Sequence, residues 1–176
     1  MLFDLATVPP RICYKLLVST ITPRPIAWVV SLDAHGALNA APFSFFNAFS
    51  SDPPVIGIGI GPRSGGRTKD TRANIADTGE FVVNLVSEDT AEAMNVTAIE
   101  FEPDVDLGPT NCIALGRVLA IHVRDDAVLD AASGSVDTPA LHLIGRMHGT
   151  GWYARTSDRF EMPRIPVGDW KRHPDR

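Results

Sequence analysis

The chain has 176 residues, of which 44% are hydrophobic and 21% are charged, so it can bury a core and is expected to fold as one domain over residues 1–176. That hydrophobic content excludes disorder as the main state. The formal net charge of −5 argues against broad electrostatic binding of nucleic acid or of an anionic membrane. Its 14 glycines and 14 prolines follow no period, which favours a turn-rich β protein over a helical bundle.

The start of the chain lacks a basic stretch followed by a continuous apolar run, and no later apolar run approaches the roughly 20 residues that span a bilayer. We therefore expect a cytoplasmic protein that does not bind membranes. Cys13 and Cys112 are far apart and form no CxxC pair, which predicts two reduced thiols. No GxSxG motif is present, and the spacing of the five histidines indicates neither a catalytic triad nor a metal site.

The first third of the chain predicts a strand hairpin. A short strand is plausible over Leu16–Ser19, and the prolines on both sides of Arg24 force extended backbone. The apolar run Ile26–Val30 predicts a strand, and Asp33–Gly36 predicts the connection to a returning strand over Leu38–Ala41.

A second strand pattern, over Val55–Gly61, alternates isoleucine with glycine. Side chains on a strand point alternately to its two faces, so one face of this strand is bare. A bare face indicates that backbone, a ring or a ligand lies flat against it. Close packing of another strand in a barrel explains the same pattern equally well.

Shorter elements follow in the second half. Asp70–Asp77 predicts a short helix that ends at Gly79, Glu80–Val86 predicts a strand, and Ser87 begins a second helix that runs to about Met94. Further strands are predicted at Ile113–Arg124, with a kink or bulge near Gly116, at Ala127–Leu129, Leu141–Arg146, Gly151–Arg155 and Arg159–Met162, with loops at 131–139 and 167–176. Many strands with two short helices predict a β-barrel with helical decoration.

Cations cluster directly before the first predicted helix. Arg67 and Lys69 lie with Thr68 and Thr71 in an otherwise acidic chain, and Arg63 and Arg72 flank them. Cations, hydroxyls and the free N–H groups of a helix start are the combination that binds a phosphate ester. A solvated basic loop is an equally open interpretation. The segment is not a P-loop, because Arg67 stands where that motif needs lysine.

A second candidate site is the stretch NAAPFSFFNAFSSDPP. Small residues beside Pro42 expose backbone at a strand end, and Ser44 and Asn47 place polar groups among phenylalanines. A planar heteroaromatic ring suits such a place, since its faces need apolar contacts and its edge needs hydrogen bonds. A hydrophobic core that contains two polar residues would explain the same stretch of sequence.

Taken together, TPRPIAWVVSLDAHGALNAAPFSFFNAFSSDPP, KDTRANI and TGEFVVNLV resemble the flavin reductase-like proteins with an FMN-binding split barrel, and RMHGTGWYARTSDRFEMPR resembles their closing segment. The matching stretches cover about half the chain in family order. The resemblance implies a mainly β fold, a Greek-key split β-barrel with short flanking helices. It also implies a homodimer with the flavin near the subunit interface. One departure is the segment between Met94 and Cys112, which is shorter than the usual substrate-covering insert.

The activity that the resemblance implies is an FMN-dependent oxidoreductase. NADH or NADPH would pass a hydride to flavin N5, and the electrons would go on to free flavin or to another small-molecule acceptor. Two alternatives are a flavin-binding electron carrier or sensor without turnover, and a barrel without flavin that acts only as an interaction module.

The resemblance also implies which residues surround the FMN. From the first strand, Arg24, Pro25 and Ala27 would approach the flavin. Its isoalloxazine and ribityl parts would be lined by Ala41, Pro42, Phe43, Ser44, Phe45, Phe46 and Asn47. The phosphate end would be formed by Lys69, Asp70 and Thr71, with Arg67 nearby.

Overall fold

A computed structural model describes residues 2–62, 69–99 and 111–162 of the chain. Within these ranges the helices are α1 (Pro10–Thr20), α2 (Asp70–Thr78) and α3 (Ala91–Val96). The longer strands are β1 (Ala27–Leu32), β2 (Leu38–Phe43), β3 (Phe46–Ser51), β4 (Pro54–Ile60), β5 (Val82–Leu85) and β6 (Cys112–Arg117). The short strands are β7 (Val128–Asp130), β8 (Ser135–Val136), β9 (Ile144–Arg146) and β10 (Tyr153–Arg155).

Two antiparallel three-stranded sheets form the body of the fold, in the orders β2-β1-β5 and β3-β4-β6. The main core joins both sheets, since Val29 of β1 packs in one cluster with Ile58 and Ile60 of β4. These three side chains are at most 1% exposed. Each contributes about 1.5–3 kcal/mol by leaving water, so the alternating pattern of β1 and β4 determines how the sheets face each other. The mainly β architecture is therefore confirmed.

A second, smaller core attaches the end of the described chain. Ile144 of β9 packs with Ile26, Val86 and Met94. Backbone hydrogen bonds support this packing, because Arg24 and Arg146 exchange both of theirs, at 3.0 and 2.8 Å. The β9–β10 hairpin is thus fixed beside the entry to β1.

Several predicted elements are confirmed. The hairpin β1–β2, the strand β4 and the helix α2 lie where the sequence patterns place them. Gly79 ends α2 with a φ of 74°, a conformation that glycine adopts without the strain of a side chain. Ser87 and Thr90 form the hydrogen-bonded start of the segment that continues into α3.

The strand predicted at Leu16–Ser19 is wrong, because these residues form the last turns of α1. Two prolines begin this helix: Pro9 is its N-cap and Pro10 its first residue. Proline is favoured there because the first helical residues need no N–H partner and the ring already has a helical φ. The segment therefore packs as a helix against the barrel.

Other differences lie in the second half. The long strand predicted from Ile113 ends at Arg117. Gly116 pairs regularly opposite Ile56, without the predicted bulge, and the Phe81 ring occupies the space where a side chain at this position would lie. No strand forms at Arg159–Met162. The loop predicted at 131–139 contains β8, and β3 was not predicted. The tail 167–176 and residues 100–110 of the shortened segment before Cys112 lie outside the described residues.

Three further findings concern the described part of the chain. No helix in residues 2–62, 69–99 or 111–162 is long and apolar enough to cross a membrane. The same residues contain no group of three or more His, Cys, Asp and Glu side chains that could hold a metal ion. Cys13 and Cys112 are both free thiols, as predicted.

Candidate functional site

A cavity of about 420 Å³, which we call the α2 cavity, lies between the start of α2, the strand β2 and the segment after α3. Three stretches line it: Leu38–Pro42, Lys69–Thr71 and Thr97–Ile99. The structure thus brings the predicted phosphate end together with the small residues Ala41 and Pro42.

The cation of the α2 cavity is Lys69. It is the N-cap residue of α2, a helix of nine residues, and its Nζ lies 5.4 Å from the centre of the Phe43 ring. The first turn of a helix carries N–H groups without partners inside the helix, and the positive end of its dipole points the same way. An ammonium group beside such a turn makes this end of the cavity attractive to an anion.

The start of α2 is held in place by two polar contacts. Asn39 of β2 donates through Nδ2 to Thr71 Oγ1 at 2.8 Å, and Thr71 is 1% exposed. One turn later Asn74 donates to Ser31 Oγ of β1 at 3.2 Å. Buried hydrogen bonds of this kind fix orientation because breaking them leaves polar groups unsatisfied. The N–H groups of the first turn are therefore preorganised beside β2.

The opposite wall of the α2 cavity is fixed through Thr97. Its hydroxyl accepts a hydrogen bond from Trp28 Nε1 at 2.9 Å and donates one to the Met94 carbonyl at 2.8 Å. Both contacts come from packed elements, β1 and α3, so this wall keeps its position.

The strand β2 borders the α2 cavity along an open edge. Among residues 2–62, 69–99 and 111–162, β2 pairs only with β1, in the sheet order β2-β1-β5, and the next strand, β3, pairs with β4. An edge strand presents backbone N–H and C=O groups that a ligand can bind, and Pro42 is tolerated there because it needs no ladder partner. The two small residues Ala40 and Ala41 keep the approach to this edge open.

A second cavity, of about 330 Å³, lies between α1 and the turn from β2 to β3, and we call it the α1 cavity. Its apolar walls include Leu17 of α1 and the C-cap residue Ile21, together with Phe45 of the turn and Phe46 at the start of β3. Ser44 and Asn47 supply polar groups, and Phe45 is also stacked on Tyr14, with ring centres 6.2 Å apart and planes inclined by 27°. The aromatic turn predicted to hold a planar ring is therefore one wall of a real cavity.

Besides Thr71, three predicted site residues are buried. Ala27 is 0% exposed and Phe43 6%, and both belong to the main core. The Arg24 side chain is 6% exposed, and burial is the main cause that lowers its pKa, while Tyr14 raises it and Arg146 lowers it further. Arg67 lies outside the described residues. Arg24 also borders the α1 cavity, together with Pro25, Ser44, Phe45, Phe46 and Asn47, and the residues that border the α2 cavity are Ala41, Pro42, Lys69, Asp70 and Thr71.

Sequence reasoning missed the walls that the helices supply. Leu17 and Ile21 would have been found if α1 had been recognised, because residues four apart lie on one face of a helix. Thr97, Ala98 and Ile99 carry no local signal. They reach the α2 cavity because the Met94 side chain is buried in the second core and Trp28 donates a hydrogen bond to Thr97.

The model of the flavin reductase like domain matches residues 19–112, more than half of the chain. The chain belongs to the flavin reductase-like family. An uncharacterised protein from Deinococcus radiodurans is 38% identical over 209 residues, which cover 96% of this chain and 92% of that protein. The resemblance seen in the sequence motifs is thereby confirmed.

Solved structures of other members of this fold agree with the family assignment. Nitrilotriacetate monooxygenase component B from Bacillus cereus has a TM-score of 0.81 at 26% identity, over 92% of this chain and 98% of its own. The 2-nitrobenzoate 2-nitroreductase NbaA from Pseudomonas fluorescens has the same score and identity, over 95% and 97%. A Shewanella frigidimarina protein with a split barrel domain has a TM-score of 0.70 at 17% identity, over 94% and 100%. The flavin reductase-like chain therefore has the split-barrel fold, and its family supports a flavin-related oxidoreductase function.

Proposed function

We propose that this protein is an FMN-dependent oxidoreductase that takes a hydride from NADH or NADPH and passes the electrons to free flavin or to another small acceptor. The observation that carries the proposal is the α2 cavity, in which Lys69 and the first turn of α2 border the open edge of β2. An anion site beside an open strand edge suits a phosphorylated heteroaromatic ligand. The family and the two oxidoreductase structures of similar fold support the same class of chemistry.

The phosphate end of the FMN would lie at Lys69 and the first turn of α2. A charge-assisted hydrogen bond from the lysine and N–H groups from the helix start are the donors that a phosphate monoester prefers. Thr71 would act through its contact with Asn39, which keeps this turn oriented toward β2. The residues present therefore fit the group.

The ring end would lie toward the turn from β2 to β3, which carries Ser44, Phe45 and Asn47. Aromatic and proline side chains exclude water from a flat ring, and backbone groups of the β2 edge can bind its polar rim. Bound FMN would accept the hydride and pass on the electrons, so the chain needs no strong acid or base of its own. Its contribution is position, a dry environment and a cation at the phosphate end.

We also propose that the protein is a homodimer with the flavin near the interface. Apolar side chains on the outer face of β6 and just after it are exposed: Ile113 at 72%, Leu115 at 65%, Leu119 at 90% and Ile121 at 80%. A group of exposed apolar side chains of this kind is typical of a protein interface. A second copy of this chain is the occupant that the family resemblance implies.

Replacing Leu115 by Asp is expected to convert the dimer into a monomer, because the carboxylate would be buried without a partner in the interface. Light scattering coupled to size exclusion would measure the change. Leu129→Asp is the matched control, since Leu129 is similarly exposed, at 67%, but lies on β7. A dimer that tolerates Leu115→Asp, or that Leu129→Asp dissociates equally, would contradict this interface.

The proposed activity is tested by the visible spectrum of the purified protein with FMN during anaerobic addition of NADH or NADPH. We expect a yellow protein whose flavin band bleaches as the nucleotide is oxidised, with catalytic turnover when free flavin is added. Bound flavin that neither nucleotide reduces would instead indicate an electron carrier or sensor. A protein that stays colourless and gains no thermal stability from saturating FMN would reject FMN binding altogether.

A further inference from the structure

The Arg24 guanidinium is a buried charge held by carbonyl oxygens and a hydroxyl. Its Nη1 donates to the carbonyls of Val18 and Ile21, each at 2.7 Å. Its Nη2 donates to the Met147 carbonyl at 3.1 Å, and its Nε makes a longer contact of 3.5 Å with Ser44 Oγ. A buried guanidinium needs such partners, because leaving its N–H groups unpaired would cost several kcal/mol.

These four acceptors come from three separate segments. Val18 and Ile21 lie at the end of α1, where carbonyl groups lack helical partners and the dipole is negative. Met147 follows β9, and Ser44 lies in the turn from β2 to β3. Arg24 therefore connects the end of α1 and the end of β9 to the aromatic turn.

Two of these segments form the α1 cavity. Leu17 belongs to the last turns of α1 and Ile21 is its C-cap residue, and Ser44 and Phe45 belong to the opposite wall. Arg24 lies between these walls and directs donors to both. A guanidinium has five N–H groups, so at most one stays available when four acceptors are bound. The side chain is consequently arranged to hold the walls apart at a fixed distance rather than to bind a phosphate.

We infer that Arg24 is a positioning residue for the ring end of the flavin site: it sets the spacing of α1 and the Ser44 turn and does not bind the phosphate. The inference rests on the proposed function, since it assumes that the flavin ring lies at this turn. The phosphate end of the proposed site is a separate region, which contains Lys69. Arg24 thus determines the affinity for the ring, whether or not the ligand carries a phosphate.

The test compares Arg24→Lys with wild type by titrating FMN and riboflavin. Lysine keeps the charge but offers one compact donor group in place of a planar fork, so it cannot bind all three segments at once. We expect both dissociation constants to rise by the same factor, roughly tenfold, the size expected for losing one charge-assisted hydrogen bond. The ratio of FMN to riboflavin affinity should stay as in wild type. Arg24→Gln should lose more affinity for both flavins than Arg24→Lys does. Arg11→Gln, at an exposed site on α1, should bind both flavins as wild type does.

A second measurement does not depend on flavin. Hydrogen exchange of the peptide that contains residues 14–20 should quicken in Arg24→Lys, while exchange in β4 should stay unchanged, because only the attachment of α1 is weakened. If wild type binds neither flavin, the proposed function fails, and this exchange result still decides the role of Arg24. Unchanged exchange in α1, or a loss of FMN affinity with riboflavin affinity intact, would overturn the inference.

Discussion

Replacing Lys69 by Ala is expected to weaken FMN binding by about 1.5–3 kcal/mol, roughly a 10- to 150-fold rise in the dissociation constant, and to leave riboflavin binding almost unchanged. The reason is the place of this ammonium group. It lies at the N-cap of α2, on the border of the α2 cavity, where a phosphate would also meet the first-turn N–H groups. Riboflavin has no phosphate and so loses no charge-assisted bond. Titrations that follow the quenching of flavin fluorescence would measure both constants.

Two variants make this prediction specific. Lys15→Ala removes the same charge from an exposed site on α1, so it reports the effect of net charge alone. Lys69→Arg keeps the charge at the cavity and should lose much less affinity. A loss that is equal for FMN and riboflavin, or one that Lys15→Ala reproduces, would show that the phosphate binds elsewhere.

The features predictable from sequence are those with a local signal. Alternation of isoleucine with glycine is enough to predict β4, because the period of a strand is two. Gly79 predicts the end of α2, because a left-handed residue after a helix is best supplied by glycine. The cationic start of α2 is equally local, since Lys69, Asp70 and Thr71 are adjacent in the chain and remain so in the cavity.

The features that sequence reasoning missed depend on contacts between distant segments. The N–H groups of Arg24 donate to the backbone carbonyls of Val18, Ile21 and Met147. Because every residue has a backbone carbonyl, the residue types at these positions do not identify them as partners of Arg24. The flavin contact that the motif around Arg24 implies stays a prediction, and the protein acceptors that its side chain binds could not be read from the motif. The same holds for Thr97, whose place in the α2 cavity follows from a hydrogen bond with Trp28, 69 positions earlier in the chain.

The glycine face of β4 left two interpretations open, a flat ligand or ring and close packing of protein. In the structure it is covered by side chains of this chain: Phe45 lies against Gly59, and Phe49 and Leu115 lie against Gly57. A Cβ at Gly59 would be 2.9 Å from the Cβ of Phe45, and the Gly59 N–H also donates to the Phe45 carbonyl at 2.7 Å. The aromatic turn is thus packed directly on β4.

Replacing Gly59 by Val is therefore expected to lower the free energy of unfolding by about 1–3 kcal/mol, with or without FMN, because the clash involves the root of the Phe45 side chain and cannot be relieved by rotating its ring. Gly57→Val is the matched control on the same strand face. There a Cβ would come within 2.5 Å of Phe49 Cε2, a shorter distance, but that atom is the far end of a ring that is 66% exposed and can turn away. Denaturant unfolding of both variants without ligand would compare them.

We expect a large loss in the free energy of unfolding for Gly59→Val and a small loss for Gly57→Val. The distances alone would predict the opposite order, because the shorter one is at Gly57. The expected order follows from which atom must move: at Gly59 the backbone of the aromatic turn, and at Gly57 only two exposed side chains. Phe45 also borders the α1 cavity, so the displacement in Gly59→Val should reach the ring end of the flavin site. Equal losses at the two positions, or a loss at Gly59 seen only with FMN bound, would mean that the turn is not anchored on β4 in the free protein.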